Sequence, residues 1–271
     1  MKMAAAVEKE KIVGAAPVGA ADRDAAAKAV REMFTSIAPR YDLLNHVLSF
    51  NIDRLWWWRA ARRFDATLNR SGARVLDLCC GTGDMTFALQ RRATATDVKI
   101  LGADFSHAML HRAAAKGNSL NGGAKTGQNE VDQRCSPGWV EADALRLPFP
   151  RSHFDLVTSA FGFRNLADYD AGLREIYRVL RPGGQCGILD FGEPQGIVGS
   201  VYRIYFKKVL PRIGTLISGV RGPYAYLPAS VARFPAPEEM VTRMRQAGFD
   251  DVSWTPYTMG VAGLYRGVKG Q

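Results

Sequence analysis

The sequence has little of what builds metal centres and disulfide frameworks: four cysteines and four histidines in 271 residues. Cys79 and Cys80 are adjacent within a strand-like run, Cys135 and Cys186 stand alone, and no pair has the CxxC spacing of a zinc knuckle. Cysteines so placed read as small buried apolar residues. His107 and His111 have the i, i+4 spacing of one helix face, but no HExxH surrounds them. They are assigned to a surface helix, and no metal is expected. No uninterrupted apolar run reaches the length of a membrane span. The opening "MKMAAAVEKEKIVGAAPVGAADRD" lacks the apolar centre of a signal peptide. A cytoplasmic location is therefore expected, with peripheral attachment at the inner face of the membrane left open. No internal repeat is visible.

What the chain has in excess is positive charge. Lysine and arginine number 36 against 26 acidic residues, a net charge of +10. That balance favours an anionic partner: nucleic acid, phospholipid headgroups or a charged cofactor. Hydrophobic residues make up 47%, enough for a sizeable core. Residues 1–23, a mix dominated by Ala, Gly, Lys and Glu, read as a disordered arm, and residues 24–271 as one domain.

Helical spacing begins near Asp24, with Val30, Met33, Phe34 and Ile37 on one face until Pro39. "RYDLLNHVLSFNIDRLWWWRAARRF" reads as a helix pair packed on a larger body, with Trp56 to Trp58 partly core and partly surface. From Arg74 strands and helices alternate. "ARVLDLCC", "VKILGADF", "FDLVTSAF" and "QCGILDF" are strands, and a short strand precedes Asp143. "GDMTFALQRR", Ser106 to Lys116 and "AGLREIYRVL" are helices, the last stopped by Pro182 and the pair Gly183-Gly184. The alternation implies parallel pairing and right-handed crossovers in a doubly wound α/β sheet. Gly117 to Gly138 is polar and Gly-rich, and is expected to be a long surface loop. The alternation breaks from Gly196 to Pro228. Val201 to Leu210 is apolar on most sides except at Arg203, Lys207 and Lys208. A helix of that kind must bury itself in protein, against an apolar ligand or at a bilayer surface. "GFDDVSWTPYTMGVAGLYRGVK" closes the chain with two runs suited to a hairpin on the sheet edge.

The turn Gly81-Thr82-Gly83 follows the first strand, where open α/β sheets bind ligands. Glycine lets the backbone approach a ligand closely, and the next helix offers free N–H groups. Asp84, Met85 and Thr86 come next, so the third glycine of the dinucleotide fingerprint is missing, and no Gly-Lys-Ser/Thr makes a phosphate loop. Asp104, at the end of the second strand, is placed to accept from ribose hydroxyls, although a helix N-cap explains it as well. Asp143 and Ala144 could read an adenine edge through a carboxylate and a backbone N–H. Together the three features point to a nucleoside.

"VLDLCCGTGDMTFAL", "GADFSHAML", "DALRLPF", "FDLVTSAFGFRN" and "YRVLRPGG" resemble the successive motifs of class I S-adenosylmethionine-dependent methyltransferases. "IAPRYDLLNHVLSFNIDRLW", "FGFRN", "VLPRIGTLISG" and "YAYLPASVARFP" are similar to the quinone-biosynthesis C-methyltransferases, the demethylmenaquinone and ubiquinone-precursor methyltransferase family. The likeness runs from Met33 to Val268. It implies a Rossmann-like, mostly parallel seven-stranded sheet with N-terminal helices and an inserted helical lid over residues 196–235. It also implies S-adenosyl-L-methionine as cofactor, held at Gly81, Thr82, Gly83, Asp104, Asp143 and Ala144, and a prenylated quinol as substrate. The family carries a serine two residues before the glycine of Phe-Gly-x-Arg-Asn; here Ala160 stands there, with Ser159 one place earlier. "CCGTGD" is closer to the menaquinone-side members. Demethylmenaquinol is thus the expected substrate, with the benzoquinol step of ubiquinone biosynthesis as the alternative.

Methyl transfer to carbon needs an electron-rich ring carbon, which a quinol supplies when a ring hydroxyl loses its proton. Arg164 is the candidate for holding the anionic oxygen or polarising a water, because its own pKa is too high for a base. A structural salt bridge would explain Arg164 too. His46 and Asn165 join it as catalytic candidates, with Asn45 and Tyr41 of second rank. Contact with an anionic membrane and assembly into a homo-oligomer are both compatible with the sequence. Nucleic acid is not expected, since "AFGFRN" stands where a nucleic-acid methyltransferase would carry Asn/Asp-Pro-Pro-Tyr. An NAD-dependent dehydrogenase and a non-catalytic cofactor-binding subunit are the other rivals.

Overall fold

The structure is a computed structural model that describes residues 14, 15, 17, 19–38, 42, 49, 51–122, 136–194, 196, 199 and 223–271. Tyr41, Asn45, His46, Cys135 and the apolar helix expected over Val201 to Leu210 lie outside these residues.

Seven strands form one sheet: β1 (Arg74–Leu78), β2 (Lys99–Asp104), β3 (Gly138–Glu141), β4 (Phe154–Ala160), β5 (Leu180–Phe191), β6 (Phe249–Tyr257) and β7 (Ala262–Lys269). Their order is β3-β2-β1-β4-β5-β7-β6. The first five are parallel, with Val75 opposite Ile100 on one side and Leu156 on the other. β7 enters antiparallel between β5 and β6. The order reverses between β1 and β4, which puts the ligand crevice of an open α/β sheet beyond those two strand ends.

Successive strand residues face opposite sides of the sheet. Leu76 of β1 joins one core layer, with Leu173 and Ile176 of α6 (Tyr169–Val179) and Met240 and Met244 of α8 (Pro237–Gln246). Val75 joins the other, with Trp56, Trp57 and Ala60 of α2 (Ile52–Arg62), Phe64 beside α3 (Asp65–Leu68), and Met85 and Leu89 of α4 (Asp84–Arg92). Three further helices are α1 (Arg23–Ile37), α5 (His107–Gly122) and α7 (Pro223–Arg233). Among the described residues no helix is long and apolar enough to cross a membrane.

Several boundaries differ from the sequence reading. β1 ends at Leu78 rather than Cys80, because Cys79 turns into the left-handed region at φ 54°. α5 continues to Gly122, six residues into the stretch expected as loop. α6 ends at Val179, and β5 starts immediately at Leu180 instead of after the glycine pair. The strand absorbs Gly183, at φ 75°, as an irregularity in its register with β4. α8 was not anticipated, although Pro237 at its first turn, Glu238 and Glu239 next to it, and buried Met240 and Met244 one turn apart are helix-start and core-face signals. At Gly14 and Ala15 the N-terminal arm is docked: their N–H groups donate to the carbonyls of Ala167 (3.0 Å) and Leu166 (2.7 Å).

Candidate active site

One continuous cavity of about 340 Å³ lies over the ends of β1, β2, β4 and β5. Its first end is made by the glycine turn. Cys79, Gly81 and Gly83 have φ of 54°, 54° and 87°, so the chain reverses within five residues and starts α4 directly. At Gly83 only glycine fits, since a Cβ there would stand 2.7 Å from the Trp139 ring in addition to the backbone penalty.

Asp104 holds this turn in place. One carboxylate oxygen accepts from the Gly81 N–H and the other from the Ser106 N–H, both at 2.9 Å. It thus bridges the two loops that flank the crevice; the helix after β2 starts at His107, so Asp104 stands before its N-cap position rather than in it. The residue is 6% exposed, and burial pushes its pKa up to about 6 against the pull of those N–H donors. Asp143 and Ala144 line the same end. Asp143 is exposed and accepts from the Leu145 N–H at 2.9 Å, while Ala144 is buried. Thr82 is buried and its hydroxyl donates to Asp42. Lys116 ties Thr82, Asp42 and Asp84 together with contacts of 3.2, 2.8 and 2.9 Å. Beneath them Asp77, fully buried, accepts from Thr86 (2.6 Å) and Thr158 (2.9 Å), and burial raises its pKa to about 7. The Cys79 thiol is pushed well above its ordinary value by burial and by the neighbouring carboxylates, which keeps it protonated.

The second end is apolar. Ile52, Trp56 and Trp57 from α2, Phe161 and Phe191 from the ends of β4 and β5, and Thr258 and Val261 from the β6–β7 turn wall it. Trp56 donates its indole N–H to Thr258 (2.8 Å), and its ring meets Phe161 and Phe191 at centroid distances of 5.7 and 6.2 Å. Arg164 lies in a short 3-10 turn, Phe163–Asn165, between the two ends. Its guanidinium donates to Asp190 (2.9 Å) and to the Phe161 carbonyl, and stacks over Phe191 at 5.1 Å. Its Nε is buried with no partner among the described residues. Asn165 accepts from the phenol of Tyr226 on α7 at 3.2 Å. Ala160 faces the cavity, while Ser159 points to the other side of β4 and is buried.

Of the described residues assigned to the site from the sequence, Gly81, Thr82, Asp104, Asp143, Ala144, Arg164 and Asn165 are on the wall of this cavity, and Gly83 caps the helix beside it. Three groups escaped sequence reasoning. Asp190 stands next to the end of β5, much as Asp104 stands at the end of β2, and that position is a usable signal. Asp77 is a carboxylate inside an apolar run, which marks a buried polar network. Tyr226 sits in "YAYLPASVARFP" without any local mark of its role.

The residues suit a nucleoside with a charged tail: a buried carboxylate for hydroxyls, an exposed carboxylate and a backbone N–H on the next strand, and helix N-termini nearby. A model of the ubiE/COQ5 methyltransferase family matches residues 22–269. A demethylmenaquinone methyltransferase of Deinococcus radiodurans is 48% identical over 254 residues, covering 93% of this chain and 97% of that one. One from Thermus thermophilus is 48% identical over 236 residues, with 87% and 99% covered. A ubiquinone/menaquinone biosynthesis C-methyltransferase of Geobacter sulfurreducens is 41% identical, with 89% and 88% covered. Among solved structures, a SAM-dependent methyltransferase of Thermotoga maritima superposes with a TM-score of 0.58 at 18% identity, over 89% of this chain and 99% of that one. A [4+2]-cyclase reaches 0.63 at 17% identity over 97% and 99%, so at this distance the likeness is one of fold alone. With a seven-stranded, mostly parallel sheet, the cavity at its switch point and a family match over nearly the whole chain, the protein belongs to the ubiE/COQ5 methyltransferase family.

Proposed function

We propose that this protein is an S-adenosyl-L-methionine-dependent C-methyltransferase of quinone biosynthesis, converting demethylmenaquinol to menaquinol. The observation that carries this reading is the single cavity joining a nucleoside-type end at Asp104 to an aromatic, apolar end at Trp56, Phe161 and Phe191. When bound, the cofactor supplies an electrophilic methyl on a sulfonium. Asp104 would accept from its ribose hydroxyls, Asp143 and Ala144 would face its adenine, and the Gly81–Gly83 turn would lie against its charged tail. The aromatic walls would orient a flat ring, and holding the reacting carbon in line with the methyl group lowers the barrier by pre-paid orientation.

Arg164 is assigned to the ring oxygen that is anionic once its hydroxyl has lost its proton, before the adjacent carbon attacks the methyl group. Its pairing with Asp190 fixes the guanidinium and neutralises part of its charge, so it acts as an oriented donor more than as a free cation. Asn165, held by Tyr226, is assigned to the same oxygen or to a water beside it. His46 keeps its assignment as a further catalytic candidate from the sequence. A prenylated substrate resides in a bilayer, so the enzyme is assigned to the cytoplasm with peripheral contact at the inner membrane face.

The test is a direct assay with purified protein and labelled cofactor. A short-tailed demethylnaphthoquinol should acquire one methyl on a ring carbon faster than a prenylated benzoquinol does. Faster transfer to the benzoquinol would move the enzyme to the ubiquinone side, and no transfer to either would refute the assignment.

A further inference from the structure

We infer that the outer face of α2, together with the β6–β7 turn, is the surface by which this protein docks on an anionic phospholipid bilayer. The inference rests on the proposed quinol substrate for its purpose, but not for its observations. Three large hydrophobic side chains are exposed among the described residues: Leu55 at 49%, Trp58 at 45% and Met259 at 72%. Two are on α2 and the third is on the β6–β7 turn, which side-chain contacts fasten to that helix. Leu55 and Trp58 lie one turn apart on α2, and Arg59 and Arg62 continue the same face at i, i+3, i+4 and i+7 spacing. Met259 is the neighbour of Thr258, which accepts from the Trp56 indole, and Arg59 lies over the Tyr257 ring at 4.7 Å. Helix and turn are thus fastened side by side.

The chemistry of the patch selects its partner. Arg54, Arg59, Arg62 and Arg63 are all exposed, while Asp53, the one acid of α2, is buried. No ion pair joins any of the four arginines to a described residue. Apolar side chains next to arginines suit the boundary between acyl chains and headgroups, with tryptophan at headgroup depth. The Arg62 guanidinium over the Trp58 ring, at 5.4 Å, sets the two groups side by side for it. Nucleic acid would leave Leu55 and Met259 without a partner. A second copy of this chain, meeting face to face, would bring eight arginines together. Met259 also occupies a left-handed conformation, φ 56°, within its turn. Ile52, Trp56, Trp57, Thr258 and Val261, on the inner side of the same two elements, wall the apolar end of the cavity. A quinol leaving the bilayer at this face therefore has one layer of protein to pass.

The test is sedimentation of the full chain with phosphatidylcholine vesicles, with and without phosphatidylglycerol, at low and high salt. Wild type should bind the anionic vesicles more tightly, and salt should weaken that binding. The pair Arg59→Gln and Arg62→Gln should lower affinity for anionic vesicles by about 30-fold, roughly fivefold per arginine. Leu55→Ser with Trp58→Ser should lower binding to both kinds of vesicle. As a control, Arg146→Gln with Arg245→Gln removes two exposed charges from elsewhere on the surface and should change little. An equal loss in the control, absence of binding by wild type, or a dimer that Leu55→Ser with Trp58→Ser dissolves would overturn the inference. The sedimentation contains neither quinol nor cofactor, so its outcome is separate from that of the methylation assay.

Discussion

The proposed role of Asp104 makes cofactor affinity depend on pH in a way that can be worked out in advance. Its carboxyl has a pKa of about 6 because burial outweighs the Gly81 and Ser106 donors. Ribose hydroxyls and a nearby sulfonium both favour the ionised form. At pH 5 only about one carboxyl in eleven is ionised, so affinity should drop about tenfold from its plateau above pH 7, or ~1.4 kcal/mol. The sign for folding is opposite. A carboxyl raised from 3.8 to about 6 contributes stability that is fully present below 3.8 and lost as pH rises through 6. The ionised, ligand-ready form is therefore also the less stable one. Titration calorimetry with S-adenosylmethionine between pH 5 and 7 measures the slope, and Asp104→Asn identifies its source. That variant keeps the size of the side chain but loses charge and one acceptor, so affinity should fall by about 1.5–3 kcal/mol. A flat profile in wild type, or the same slope in Asp104→Asn, would refute the assignment.

Two further substitutions probe other parts of the cavity. Arg164→Lys keeps a charge but cannot serve both Asp190 and the Phe161 carbonyl, so turnover should fall while cofactor affinity stays within roughly threefold; equal losses in kcat and cofactor affinity would mark the residue as purely structural. Gly162→Ala places a Cβ 2.4 Å from the Cys79 Cβ, which should cost about 1–3 kcal/mol in thermal unfolding. Cys79→Gly in the same chain removes the clashing atom and suits φ 54°, so the double variant should recover most of that loss. Absence of recovery would mean that the clash is with the backbone instead.

The cofactor half was legible because each of its parts has a local signature. Gly81 and Gly83 announce the turn, Asp104 and Asp143 stand at strand ends, and the apolar runs before them are strands by composition alone. The hairpin at the sheet edge was legible from the two strand-like runs as well, though not the insertion of β7 against β5, which no local pattern encodes. The substrate half was harder. Arg164 drew attention through the Phe-Gly-x-Arg-Asn motif and the anionic oxygen that the chemistry needs held, but its partner Asp190 is 26 positions away and becomes a neighbour only when β4 and β5 align. Tyr226 reaches Asn165 across 61 positions through a helix packed from another part of the chain. Cys79 gave no warning of a left-handed backbone, since cysteine is an unusual choice there. Helix α5 outran its expected end because helix propagation through polar residues needs no apolar stripe.

The late arrival of β7 has a consequence for how the molecule is made. The nucleoside end is built from β1, β2 and β3 and can assemble as soon as β4 has emerged from the ribosome. β5 then presents seven residues, Gln185 to Phe191, whose eventual partners in β7 follow every other strand in the chain. Until they appear, an apolar strand containing Cys186, Ile188 and Leu189 is an open edge, the kind of surface that recruits other nascent chains. A ribosome that stalls before Ala262 would leave a product with its nucleoside end in place and without Val261's neighbours to close the aromatic end. Such a fragment would keep the Gln185–Phe191 edge of β5 uncovered, so the last strand of the chain is what seals the sheet against unwanted partners.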